Sequence, residues 1–121
     1  MAEDYTNIRL SGKTSLIADR VLESGLFEDK ATLCKFAFAY AIKNHRDEIN
    51  ADIINAHTDS NGSNYSIGTL DADKYLAHFV IALHPEITAP YRYIRAVMVF
   101  GLEMLGDRLD AGTLYPISDL L

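Results

Sequence analysis

The feature that most constrains this chain is a single alternating segment near its front. Over Tyr5 to Ser11, Thr6, Ile8 and Leu10 point one way, and Tyr5, Asn7 and Arg9 point the other. Alternation with a period of two predicts a short strand with one apolar face. A strand on its own leaves backbone N–H and C=O groups unpaired and does not persist in water. No second strong strand is visible nearby, and the rest of the chain reads mostly as helix. The segment must therefore find a mate, and a second copy of the chain is one solution. A homodimer is the expectation that follows.

Helical periodicity takes over after Ser11-Gly12. A first helix is predicted from about Lys13 to Ser24, with Leu16, Ile17, Val21 and Leu22 as its apolar stripe. Gly25 suits the left-handed terminator of that helix. Asp29 is placed to cap a second helix over about Lys30 to Arg46. Here Leu33, Phe36, Ala37, Tyr40 and Ala41 form one stripe, and Cys34, Phe38 and Ile42 form another beside it. A helix apolar around most of its circumference is buried on more than one side. Asp47 to Ala56 adds another turn or two. Thr58 to Asn64 is the clearest loop signal. Leu70 to Leu83 then reads as a helix with Leu76, Phe79, Val80 and Leu83 inward. Pro90, with Thr88 as a candidate cap, opens the longest one. Its stripe is Ile94, Val97, Met98, Leu102, Leu105 and Leu109, and Asp110-Ala111-Gly112 ends it. The expected division is a strand–helix–helix module over 1–57, a loop over 58–69, and a helical extension over 70–121 packing on the module, all in one compact domain.

Composition sets the outer bounds. The 121 residues suit one domain, and 49 % hydrophobic content is enough for a core. No stretch approaches the roughly 20 apolar residues of a membrane span. The polar start with Glu3 and Asp4 does not read as a signal peptide, so a cytoplasmic location is expected. The net charge of −6 argues against a generally nucleic-acid-coating protein. The charge is uneven, however. Residues 1–46 carry seven Lys/Arg against six Asp/Glu, a balance of +1, and residues 47–121 carry four against eleven, a balance of −7. The front half suits an anionic partner, and the back half would repel one.

Motifs for chemistry are sparse. Ser11-Gly12-Lys13-Thr14 follows a strand, but Asn7 stands where a phosphate loop needs its first glycine. His45, His57, His78 and His84 offer no i,i+4 pair on one helix. The lone Cys34 lies in an apolar run and reads as a small buried hydrophobe. No catalytic residue, metal ligand or cofactor is expected. Tyr91, Tyr93 and Tyr115 with Arg92 and Arg95 are the residue types of a binding hot spot, and Leu114, Ile117, Leu120 and Leu121 make an apolar tail.

The order strand, helix, glycine turn, helix over residues 5–46 resembles the ribbon–helix–helix module of bacterial repressors and antitoxins. With the periodicity above, the expected fold is mostly α: a short strand, then about four to five helices, with a helical C-terminal extension; the resemblance adds a ribbon–helix–helix-like front half. It implies DNA contact through Tyr5, Asn7 and Arg9 on an intermolecular ribbon, with Lys13 and Lys30 near phosphates. Glu28 and Asp29 depart from the pattern, because they would oppose a phosphate at the second helix.

A second resemblance rests on Ile8-Arg9-Leu10-Ser11, Ser24-Gly25-Leu26-Phe27, Phe36 to Ala41, Gly101-Leu102-Glu103-Met104-Leu105 and the ending Ser118-Asp119-Leu120-Leu121. These segments look like a family of small proteins that accompanies bacterial DNA phosphorothioation (Dnd) and related phage-defence systems. The implied role is a non-enzymatic accessory or regulator. It would act either as a dimeric DNA binder or as a protein–protein adaptor in a defence complex, using Tyr91, Arg92, Arg95, Tyr115 and Leu120 as partner contacts.

Overall fold

A computed structural model describes residues 4–56 and 59–113. The fold is mostly helical with one short strand pair. Strand β1 (Asn7–Arg9) leads into α1 (Gly12–Glu23) and α2 (Lys30–Asn44). A 3-10 turn at Arg46–Glu48 and the single-turn α3 (Ala51–Ile54) follow. Strand β2 (Asn64–Ser66) runs directly into α4 (Ile67–Leu70), then come α5 (Tyr75–Leu83) and the long α6 (Pro90–Ala111).

The strand finds its mate inside the chain, which corrects the expectation of an intermolecular ribbon. β1 and β2 are antiparallel, with Asn7 opposite Ser66, Ile8 opposite Tyr65 and Arg9 opposite Asn64. The Leu10 N–H donates to the Ser63 carbonyl at 2.9 Å, and the Gly62 N–H donates to the Leu10 carbonyl at 2.9 Å, so pairing extends past the strands. Gly62 is required here, because a Cβ would stand 2.4 Å from the Ser11 carbonyl oxygen. The expected loop over 58–69 therefore contains β2 and α4. β2 escapes a sequence reading because it is three residues long and only Tyr65 is even half-buried. Thr6 is exposed, so the apolar face of β1 narrows to Ile8, with Leu10 just beyond it.

The caps of the front half lie where the sequence places them. Asp29 accepts from the Thr32 N–H at 2.8 Å, and Gly25 takes a left-handed φ of 80°. The predicted helix over Leu70 to Leu83 is instead broken at 71–74, where Lys74 has a φ of 61°. α5 is apolar almost throughout yet buries only Ala77 and Val80; Tyr75, Phe79 and Ile81 are exposed. Phe79, expected inward, is exposed and meets the ring of Phe38 edge-on. Leu16, expected in the core stripe of α1, is 66 % exposed.

The core is organised around α6, which packs against β1, α1, α2, α3 and α5. Ile94, Val97, Met98, Leu102 and Leu105 are fully buried there. Each such side chain contributes about 1.5–3 kcal/mol through removal from water. Two glycines set how closely α6 approaches its neighbours. A Cβ on Gly101 would fall 2.2 Å from the Ala37 carbonyl oxygen, so α2 and α6 cross with backbone against backbone. A Cβ on Gly106 would meet Ile17 of α1 at 3.0 Å.

Because the obstacle at Gly101 is backbone, the crossing cannot yield by a rotamer change. Gly101→Ala is expected to destabilise the fold by about 1–3 kcal/mol despite the better helix propensity of alanine. The measurement is the urea midpoint at constant m-value, and an unchanged or raised midpoint would contradict the close crossing.

Candidate functional site

A cleft of about 760 Å³ lies between α3, the turn at 86–89 and the N-terminal half of α6. One wall is apolar, built from Ile53 and Ile54 of α3 with Val99 and Phe100 of α6. Its charged lining is Glu86 in the turn, and Arg92 and Glu103 about three turns apart on α6. α6 points Arg92, Ala96, Val99 and Glu103 into the cleft because spacings of three and four share a helix face.

Three carboxylates hold this region together. Asp4 accepts from the Tyr91 N–H at 3.1 Å and the Arg92 N–H at 3.0 Å, capping α6 from the far end of the sequence. It takes the role expected of Thr88. This contact brings Tyr5 beside Arg92, whose guanidinium sits 5.3 Å from the ring centroid. The buried Asp71 caps α5 by accepting from the Leu76 and Ala77 N–H groups, and it accepts the Tyr91 hydroxyl at 2.9 Å. Burial, then this bond to a carboxylate, pushes the Tyr91 phenol up to about 12. Asp59 accepts from Gly12 N–H at 2.8 Å and Asn61 N–H at 3.0 Å at the start of α1. Those two backbone bonds hold its carboxyl below the usual range.

Arg95 joins these parts. It is 8 % exposed, and it donates through Nε to the Arg9 carbonyl at 3.0 Å and through a terminal nitrogen to the Asp59 carbonyl at 2.7 Å. Burial lowers its pKa from the ordinary guanidinium value, while Tyr5 and Asp59 push it back up. Its contacts tie α6 to the end of β1 and to the segment before β2.

The sequence-selected residues are therefore scattered across several settings. Tyr5, Arg92 and Arg95 converge at the cleft, although Tyr5 was assigned to DNA and the arginines to a protein partner. Arg95 is a buried tie between elements rather than an open hot-spot side chain, and Tyr91 is engaged by Asp71. Asn7 and Arg9 are exposed on the outer face of the β1–β2 pair, opposite Ser66 and Asn64. Lys13 lies in a groove with Glu103, Asp107 and Asp110. Lys30 is ion-paired with Asp19 and reaches the Ser63 hydroxyl at 3.4 Å. Tyr115 and Leu120 lie outside the described residues.

Sequence reading missed the Asp59 and Asp4 caps because they act across 47 and 87 residues, beyond any local motif. Ile53 and Ile54 lie in the stretch read only as another turn or two of helix, and their adjacency was the available sign of an apolar wall. Cys34 is fully buried, and burial pushes its thiol up to about 12, so it is neither accessible nor ionised near neutral pH. Among the described residues, no cluster of His, Cys, Asp and Glu has the makings of a metal site. No helix among them is long and apolar enough to cross a membrane.

No known protein family, characterised protein or solved structure matches this chain. The cleft's reading therefore rests on its own chemistry. It offers an apolar wall, an arginine and two carboxylates, an arrangement suited to holding an amphipathic chain.

Two outcomes test the ties. Replacing Arg95 by leucine leaves the Arg9 and Asp59 carbonyls without their charged donor and is expected to cost about 2–3 kcal/mol. Amide exchange should accelerate first at Leu10 and Gly62. Uniform exchange across the chain would contradict the assigned tie. The Asp59 carboxyl has its pKa lowered in the fold, so its stabilisation is present above the unfolded value and fades as pH falls through the folded one. The Tm difference between wild type and Asp59→Asn should therefore narrow as pH drops below about 4.

Proposed function

We propose that this chain is a non-enzymatic protein-binding module, an adaptor that holds a segment of a partner polypeptide in the cleft between α3 and α6. The observation that carries the reading is the pairing of an apolar wall, Ile53, Ile54, Val99 and Phe100, with Arg92 in the same lining. A partner segment with apolar side chains on one side and a carboxylate at one end fits that chemistry. Its apolar side chains would gain by leaving water, and its carboxylate would meet a guanidinium that lies over the Tyr5 ring on a helix start whose backbone Asp4 caps. The overall charge of −6, the Lys30–Asp19 ion pair and the acidic neighbours of Lys13 all weigh against a phosphate-binding surface. The resemblance of several sequence segments to Dnd-associated proteins makes a DNA-modification or defence complex the proposed setting, and the cytosol the proposed compartment.

A second reading keeps DNA as the partner. It is favoured by one observation: the outer face of the β1–β2 pair carries Asn7, Arg9, Asn64 and Ser66 together. A two-stranded antiparallel ribbon fits a major groove, and Arg and Asn read base edges there. In this form the ribbon belongs to one chain and needs no twin.

One experiment separates the two. A photo-crosslinking amino acid is placed at Asn55 on the cleft rim, in cells of the source organism. The adaptor reading expects a discrete protein adduct that falls at least about five-fold with Arg92→Glu, a loss of roughly 1 kcal/mol. In parallel, purified protein is titrated with duplex DNA as salt is raised. Binding that weakens steeply with salt and is lost in Arg9→Ala, together with no cleft adduct, would replace the adaptor by the DNA reading.

A further inference from the structure

α1 and α6 lie side by side and run in the same direction. Arg9, just before α1, is tied to Arg95 near the start of α6; Ile17 packs on Gly106 midway; and Arg20 pairs with Asp110 at 2.5 Å near the end. Gly106 has no side chain, so the contact line between the two helices is a groove of about 320 Å³ floored by Ile17. One helical turn back from the Ile17–Gly106 contact, Lys13 stands level with Glu103. One turn forward, Arg20 stands level with Asp110, with Asp107 between the two levels.

The two banks of this groove are opposite in charge. The α1 bank carries Lys13 and Arg20, and the α6 bank carries Glu103, Asp107 and Asp110. On the α1 bank, between its two cations, Leu16 projects with 66 % of its surface in water. A scattered exposed leucine needs no explanation. This one adjoins an apolar-floored groove and is flanked on both sides by charge.

We propose that this α1–α6 face is a self-complementary surface on which a second copy of the chain docks. With the two-fold axis lying in the interface and parallel to the helices, α1 of one protomer lies over α6 of its partner at the same level. Each Lys13 then faces a Glu103 of opposite sign across the axis, and each Arg20 faces Asp107 and Asp110. Each Leu16 drops over the gap that the other chain leaves at Gly106. The perpendicular axis would set α1 on α1 and bring like charges together, so charge complementarity selects one of the two arrangements. The face is two helices wide and only about two turns long, from Lys13 to Arg20 on α1 and Glu103 to Asp110 on α6, smaller than a standard stable interface. The dimer is therefore a concentration-dependent one, weakened by salt because its rim is ionic. This assembly shares Glu103 with the cleft, leaves Arg92 and the apolar wall of the cleft untouched, and does not use the strand pair.

The test is sedimentation of the full chain over about 1–500 µM. A monomer–dimer equilibrium is expected, with Kd rising as salt is added. Leu16→Asp should raise Kd at least about ten-fold while leaving the thermal melt of the monomer unchanged, since the side chain is exposed. Lys13→Glu and Glu103→Lys should each weaken self-association alone. Mixed in equal amounts, these two variants should recover it, because the mixed dimer restores an opposite-charge pair on both sides of the axis. A chain that stays monomeric throughout, a dimer indifferent to Leu16→Asp, or a mixture no tighter than its components would each overturn the proposal. The cleft adduct described above is read separately and is expected to survive Leu16→Asp.

Discussion

The buried guanidinium of Arg95 is the interaction on which the arrangement of this molecule depends. A charged group at 8 % exposure is costly unless it is hydrogen-bonded. Arg95 meets that requirement with carbonyls from two separate segments, Arg9 and Asp59. Neither carbonyl belongs to a helix, so neither has an intrahelical donor to turn to. The arginine and the two irregular segments thus solve one another's bonding problem, and α6 is held to the strand pair as a result. The cleft inherits its shape from this, because Arg92, Ala96 and Val99 occupy the face of α6 adjacent to the tie.

Long-range carboxylates extend the same logic to the helix ends. The first N–H groups of a helix have no partner within it. In α1 and α2 the cap comes from the adjoining residue, Ser11 or Asp29. In α6 it comes from Asp4, and Asp59 adds a second acceptor at α1. A cap from next door stabilises only its helix, whereas a cap from a distant segment also fixes where that segment lies. The segment at Asp4 is placed by this means, and so is Tyr5 under Arg92.

How far the sequence discloses this depends on the range of the interaction concerned. Local signals hold up well: the apolar stripe of α6, the Asp29 cap, the left-handed Gly25 and the mostly helical class with its one short strand follow from spacing and turn chemistry. Non-local ones do not. β2 is too short for its alternation to register, so β1 looked partnerless and a twin chain looked necessary. Leu16 matched a core stripe because periodicity cannot tell the buried edge of a stripe from its wet edge. The cleft was half legible. Tyr5, Arg92 and Arg95 were all singled out, but for different partners, since nothing in the linear order places residue 5 beside residue 92. Arg95 was read as a contact for others because a long-chain arginine near a helix start is usually exposed.

The pairing of Asn7–Arg9 with Asn64–Ser66 also bears on how the molecule is made. A strand whose mate lies so far downstream stays unzipped while the intervening helices form, and closing that distance costs chain entropy before any ladder bond is gained. During synthesis, the α1–α2 hairpin emerges with its apolar surface uncovered, and the helix that covers it is the last described element to appear. Arg95 cannot join the strand to α6 until that helix is present. The β1–α2 segment is therefore made before the helix that covers it, and among the described elements it is one of the last to settle.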